Sequence, residues 1–314
     1  MITHRVIEIP KKKRNKFKEF IPIYIMALPG MIYLLINNYM PMGGIIIAFK
    51  EINFQQGILN SPWAGFKNFE YLFKTSDAWV ITRNTILYNL VFIILGTILA
   101  IVVAILLNEI TSKFASRFYQ SVILIPFLMS MVVVSYLVFA MLSSDTGFIN
   151  KTILKSMGEE PISWYTSPKY WPYILTIVSL WKSFGFSTVI FLASIVGINK
   201  DYYEAAKIDG ASKWQQIRSI TLPMLKPTII ILTILNIGRI FYSDFGLFYQ
   251  VPMNSGALFS VTNTIDTYVY RGLMQLGDMS MSAAAGVYQS FVGFSLVMIT
   301  NYIVKRVSRD DALF

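Results

Sequence analysis

The segment "DYYEAAKIDGASKWQQIRSITLPMLKP", residues 201 to 227, is charged, carries a short-helix pattern and ends in prolines, yet it stands between long apolar stretches. Asp201, followed three residues on by Glu204, matches a capping box, and "YYEAAKI" continues with good helix formers up to Asp209. Gly210 stands where a helix C′ residue takes positive φ, so the first helix is expected to stop there. Ser212 and Gln215 make a second capping pair. Trp214, Ile217 and Ile220 recur at i, i+3 and i+6 and are read as one apolar face, which Pro223 and Pro227 are expected to close before the next apolar run. The pattern predicts two short helices joined at a glycine elbow.

The flanks define the setting. The chain has 314 residues, 55% hydrophobic and 14% charged, with a mean hydropathy of +0.55, which points to an all-α integral membrane protein. Six stretches reach the roughly 20 apolar residues a bilayer demands: about 20–49, 81–107, 118–142, 171–196, 224–244 and 281–304. The first contains Pro22, Pro29 and Pro41 and is expected to be kinked or partly re-entrant. Its start, "KKKRNKFKEFIPIYIMALPG" (11–30), has the charge and apolar order of a signal peptide, but "ALPG" is a poor cleavage site, so it is read as a retained span. The organisation expected is a basic tail (1–19), a six-span domain (20–305, with the elbow segment at 201–223) and a short tail (306–314).

The net charge of +10 sorts by side rather than pointing to nucleic acid. Lys and Arg fill the amino tail, the 113–117 connection, the elbow segment and the carboxyl end, while the alternate connections mix few cations with Glu51, Asp77, Asp145, Glu159, Glu160 and Asp266. The positive-inside rule then puts both termini and the elbow in the cytosol. Aromatic residues crowd one outer connection, "SWYTSPKYWPY" (163–173), as rings at a membrane interface do.

Several chemistries are excluded. There is no cysteine, so neither a disulfide nor a thiolate metal site exists. The single histidine, His4, rules out a histidine triad and a paired-histidine metal helix. No Gly-Lys dipeptide occurs, so a P-loop is absent and no nucleotide cofactor is expected in this chain. Charges inside spans are costly and mark candidate routes: Lys182 in "SLWKSFGF" (179–186), and Arg239 in "NIGRIFYSDFG" (236–246) with Asn236, Tyr242 and Asp244. An Arg239–Asp244 structural pair and snorkelling to the membrane surface are the alternatives to substrate contact. Tyr288 and Gln289 in the sixth span are a further candidate pair.

The elbow segment resembles the cytosolic EAA loop of the permease subunits of type I ABC importers: Glu204-Ala205-Ala206, Gly210, then Ile220-Thr221-Leu222-Pro223. The likeness covers nearly the whole chain and is strongest to the sugar branch of LplB-like and YteP-like permeases, through residues 203–238, "IDTYVYRGL" (265–273) and "FKNFEYLF" (66–73). Ile217 replaces a phenylalanine common in that family, another apolar side chain at the same position. The resemblance implies six spans with a coupling loop between the fourth and fifth, and an oligosaccharide as substrate. It further implies a second homologous permease, two ATPase subunits that hold ATP and Mg, and an extracellular sugar-binding lipoprotein in a bacterial cell membrane. Glu204, Ala205, Ala206, Asp209, Gly210, Ala211, Ile217, Leu222 and Pro223 would form the ATPase-coupling surface. The rivals are a type I permease for an amino acid, polyamine or phosphate, a proton-coupled transporter, for which no internal repeat is visible, and a membrane scaffold.

Overall fold

The computed structural model describes residues 16 to 307, and the tail residues before and after these lie outside the described residues. The chain divides into two units, one up to Ile46 and one from Ile47 onward. Helix α1 (Lys16–Leu34), in the first, runs through Pro22 and Pro29 into a π-turn (Leu35–Tyr39) and then a tight 3₁₀ stretch (Met40–Phe49), whose last three residues belong to the second. The changes of pitch fall beside Pro41, whose ring cannot continue the i to i−4 ladder.

In the second unit, α2 (Ser76–Asn108) is the longest helix. The helix α3 (Lys113–Leu128) turns by 94° into α4 (Met131–Leu142). Then come α5 (Trp171–Val196), α6 (Lys200–Ile208), the continuous helical segment α7 (Lys213–Ile237), α8 (Phe245–Gln250), α9 (Ile265–Met274) and α10 (Met279–Val307). Among the described residues, five helical segments are long and apolar enough to cross a bilayer, and six if the bent α3–α4 pair is one span.

Two expectations change. The third stretch is not one straight helix: Pro126 lies in the last turn of α3, Met129 is extended, and the Ser130 hydroxyl caps α4 by accepting the Val133 N–H at 3.3 Å. Nor do Pro223 and Pro227 end the elbow's second helix, which runs straight into the fifth span. A π-turn at Ile217–Thr221 precedes Pro223, which then occupies the first turn of the next stretch, where a proline's missing N–H does least harm.

Small residues let the spans approach. Ala100 and Ala104 of α2, fully buried and four residues apart, pack with Phe191, Leu192 and Ile195 of α5. At Gly185 of α5 a Cβ would lie 2.0 Å from the Ile123 carbonyl oxygen of α3, so only glycine permits that crossing. The opposite face of α2 leaves Leu87, Ile94, Leu95, Ile98, Val102 and Leu106 exposed, a surface suited to lipid.

Irregular backbone between α7 and α10 is satisfied by polar side chains on the first half of α2, as a low-dielectric setting requires. Asn84 Nδ2 donates to the Ser260 and Asn263 carbonyls (3.2 and 2.9 Å), Tyr88 Oη donates to that of Val261 (2.9 Å), and Asn89 Nδ2 to those of Ile240 and Tyr242 (2.9 and 3.0 Å). The Thr85 hydroxyl accepts the Ile265 N–H at 3.1 Å.

Candidate functional site

The elbow is built almost entirely from local signals. Its first helix starts two residues earlier than the Asp201–Glu204 box implied: Asn199 is the cap, accepting the Asp201 N–H at 3.0 Å and donating to the Asp201 carboxylate at 3.0 Å. Asp201 thus falls in the first turn, where a carboxylate complements the helix dipole, and Glu204 has no hydrogen-bond or ion-pair partner among the described residues. The helix ends at Asp209 with Gly210 at φ +79°, its N–H on the Lys207 carbonyl at 3.0 Å and the Ala211 N–H on the Ala206 carbonyl at 2.8 Å. This is the Schellman closure. The Ser212–Gln215 capping box forms as expected.

One contact fixes the elbow to the bundle and two brace it internally. Lys213 Nζ donates to Glu109 Oε2 at the end of α2 (2.6 Å), the Tyr203 and Thr221 hydroxyls meet at 2.9 Å, and Gln216 Nε2 donates to the Ala211 carbonyl (2.9 Å). Gln216, Thr221 and Leu225 are buried, and Ala206, Ala211, Ile217, Ile220 and Leu222 half-buried. Glu204, Ala205, Ile208, Asp209, Gly210, Trp214 and Pro223 are exposed, Ile208 to 87% and Trp214 to 68%. Trp214 therefore does not share the inner face of Ile217 and Ile220: at about 100° per residue, six residues rotate it well off that stripe.

The span charges separate into different roles. Asn236, Arg239 and Tyr242 line one cleft of about 240 Å³ with Asn89, Gly96 and Thr97 of α2 and Ser179, Ser183 and Ser187 of α5. At about 1.5 Å per residue, this stretch of α2 lies roughly 20 to 32 Å along a helix about 50 Å long, near its middle. Arg239 is exposed to this cleft and has no side-chain partner among the described residues. It is not helical: α7 ends at Ile237, and Arg239 sits in the turn that follows, so the polar residues at 236, 239, 243 and 244 do not share one helix. Asp244 does not pair with Arg239 and instead caps α8, accepting the Leu247 N–H at 3.1 Å.

The remaining candidates hold the walls. Lys182 Nζ donates to the Phe127 carbonyl (3.0 Å), closing the last turn of α3 at its bend. Gln289 is buried and donates to the Phe241 carbonyl (2.8 Å) and to Asp266 Oδ2 (3.1 Å). Asp266 Oδ2 also receives the Ser243 N–H and hydroxyl, both at 2.7 Å. Tyr288 reaches the Thr82 hydroxyl at 3.2 Å and stacks edge-on against Phe73 and Phe241. The sequence reading passed over Asn89 and the three serines; their signal is the i, i+4, i+8 spacing of Ser179, Ser183 and Ser187.

At the other end of α2 a third feature forms. Arg271 is buried, with Nη1 on Asn254 Oδ1 (2.9 Å), Nη2 on Asn263 Oδ1 and Thr267 Oγ1 (3.0 Å for the latter), and its Cζ 4.1 Å from the Phe259 ring centre. Burial pushes its pKa down to about 10, so it stays cationic at neutral pH.

A helical bundle whose polar cleft holds an arginine with no side-chain partner among the described residues, and which carries an exposed elbow at one end, defines a multi-span membrane transport component. The chain belongs to the family of binding-protein-dependent transport system inner membrane components, whose pattern matches residues 93–309. It is 34% identical to protein LplB of Bacillus subtilis (strain 168), over 95% of this chain and 91% of that one. It is 36% identical to the polygalacturonan/rhamnogalacturonan transport system permease protein YteP of the same organism, over 92% and 89%. A bacterial ABC transporter involved in the import of the acidic polysaccharide alginate has a chain that superposes with a TM-score of 0.85 at 31% identity, covering 93% of this chain and 98% of that one.

Proposed function

We propose that this chain is one of the two membrane-spanning halves of an ATP-driven, binding-protein-dependent importer of oligosaccharides, among them acidic polysaccharide fragments. The observation that carries the substrate reading is Arg239: a guanidinium with no side-chain partner among the described residues, in a cleft lined by hydroxyls and amides. An intramembrane cation is tolerated where it meets water or a charged ligand, and sugars need the dense hydrogen bonding these side chains offer. The same charge disfavours a polyamine. The names of the relatives, polygalacturonan and alginate transport, point the same way.

The elbow supplies coupling. Glu204 stands ready for a bidentate arginine on an ATPase subunit, Ala205 and Ala206 let that subunit approach closely, and Gly210 sets the angle. ATP and Mg are held by two separate ATPase chains. A second homologous permease completes the path, and an extracellular sugar-binding lipoprotein delivers the substrate. Both termini and the elbow face the cytosol. A partner that binds the elbow differently in two states biases the bundle between inward-open and outward-open forms.

The test is ATPase activity of the assembled complex in lipid nanodiscs, with binding protein loaded from a panel of oligogalacturonate, alginate oligosaccharide, maltooligosaccharide and arabinooligosaccharide. Stimulation by at least one sugar, strongest for an acidic one, is the expected result. A rate indifferent to every sugar contradicts it.

A further inference from the structure

The end of the bundle opposite the elbow holds a cavity of about 460 Å³ between the first turns of α2, the 259–263 segment, α9 and the start of α10. A volume in the range of about 300 to 1,000 Å³ suits a small-molecule site. Its chemistry is mixed in a specific way. Arg271, only 7% exposed, lines it and spends three of its five N–H donors on the neutral oxygens of Asn254, Asn263 and Thr267. Two donors remain, and no carboxylate among the described residues lies within ion-pair distance of it.

Ser282, 3% exposed and also lining the cavity, has a hydroxyl with no hydrogen-bond partner among the described residues. A buried polar group left without a partner is costly and calls for an occupant. Ser282 is held there by Gly272, where a Cβ would lie 2.4 Å from the Ser282 Oγ; α9 and α10 touch at this point and wall the cavity. Acceptors face these donors: Asp77 and Asp278 line the same space, and their charges, after burial, push the Tyr268 hydroxyl up from its ordinary pKa.

A simple anion would be attracted by Arg271 but repelled by two carboxylates. An apolar ligand would strand every one of these groups. A ligand rich in hydroxyls, each both donor and acceptor, satisfies both sets, and the Tyr268 ring offers a face for sugar C–H groups. We propose that this cavity is a second, outer binding site for one pyranose unit of the oligosaccharide, with Arg271 and Ser282 donating to its hydroxyls and Asp77 and Asp278 accepting from them. The proposal rests on the oligosaccharide reading above. It adds a place where the sugar is held before it reaches the cleft at Arg239.

Arg271→Ala is a poor probe because Arg271 ties three segments together. Ser260 is better: it contributes only its backbone carbonyl to the fold, accepting from Arg83 and Asn84, and the chain has no natural cysteine. The probe sugar is whichever member of the panel best stimulates the wild-type complex. In the nanodisc complex carrying Ser260→Cys, that sugar is expected to slow maleimide labelling of this chain at least about 5-fold without binding protein present. Asp77→Asn, with the complex still intact by gel filtration, is expected to weaken binding of the labelled sugar by about 10-fold, or about 1.4 kcal/mol. Labelling unaffected by sugar, or protection given equally by sugar-free binding protein, overturns the proposal, the latter because protein side chains would then fill the cavity. If no panel sugar stimulates the wild-type ATPase, the importer reading itself fails. Stimulation without protection sinks the outer site alone.

Discussion

The elbow and the cleft sit in one bundle and are built by opposite means. The elbow is made of contiguous residues: Asn199 caps, Gly210 turns, Ser212 caps again, and each partner lies within a few positions in the chain. The cleft draws Asn89, Ser183 and Arg239 from three separate segments, and its walls depend on long-range bonds such as that from Asn89 to the Ile240 carbonyl. One is a local device that protrudes; the other exists only when the helices have packed. A substitution at the elbow should therefore spare the bundle and stop transport, whereas a substitution around the cleft should change either selectivity or stability according to whether the residue faces the space or the wall.

The largest effect is expected at the elbow. Gly210→Pro cannot adopt φ +79°, and Glu204→Arg replaces the exposed carboxylate with the wrong charge. Both should abolish uptake and ATPase retention while leaving the melting temperature of the isolated permease near wild type. A fall in melting temperature as large as that of a core variant would erase the contrast. Next comes Arg239→Gln, which should weaken uptake of an acidic oligosaccharide about 10-fold more than that of a neutral one, near 1.4 kcal/mol. Equal losses would move Arg239 from the space to the wall.

Wall residues should show the reverse pattern. Asn89→Leu leaves two carbonyls without their donor and should cost about 1 to 3 kcal/mol of stability, read as a lower melting temperature, with the acidic-to-neutral preference intact. The smallest change is expected for Lys182→Met, which removes one bond to the Phe127 carbonyl, about 1 kcal/mol, and again leaves selectivity alone. A shift in sugar preference in the Lys182 variant would return that lysine to the substrate path.

The same division explains what could be read before any coordinates. The span α5 and the glycine elbow were legible because a helix stripe and a capping signal are short-range facts. The bend between α3 and α4 was written in "IPFLMSM" (125–131) as a proline and a capping serine, but the surrounding hydropathy outweighed them. The continuity of α7 past two prolines was not legible: a π-turn just before Pro223 lets that proline fall in a first turn, Pro227 is carried inside the helix, and no residue pattern announces either. At the cleft, Asn236, Arg239 and Tyr242 were singled out by cost alone, which identifies an unusual residue but not its partner. That is why Asp244 and Gln289 were grouped with them, although one caps α8 and the other supports the loop.

The most direct test uses the absence of cysteine. Ala205→Cys places one thiol on the exposed face of the elbow. Labelling is compared in right-side-out and inside-out vesicles, with and without the ATPase subunits. Reaction only from the cytosolic side, suppressed when the ATPase is bound, is the predicted result. Reaction from the outer side, or labelling that the ATPase leaves untouched, would contradict the account.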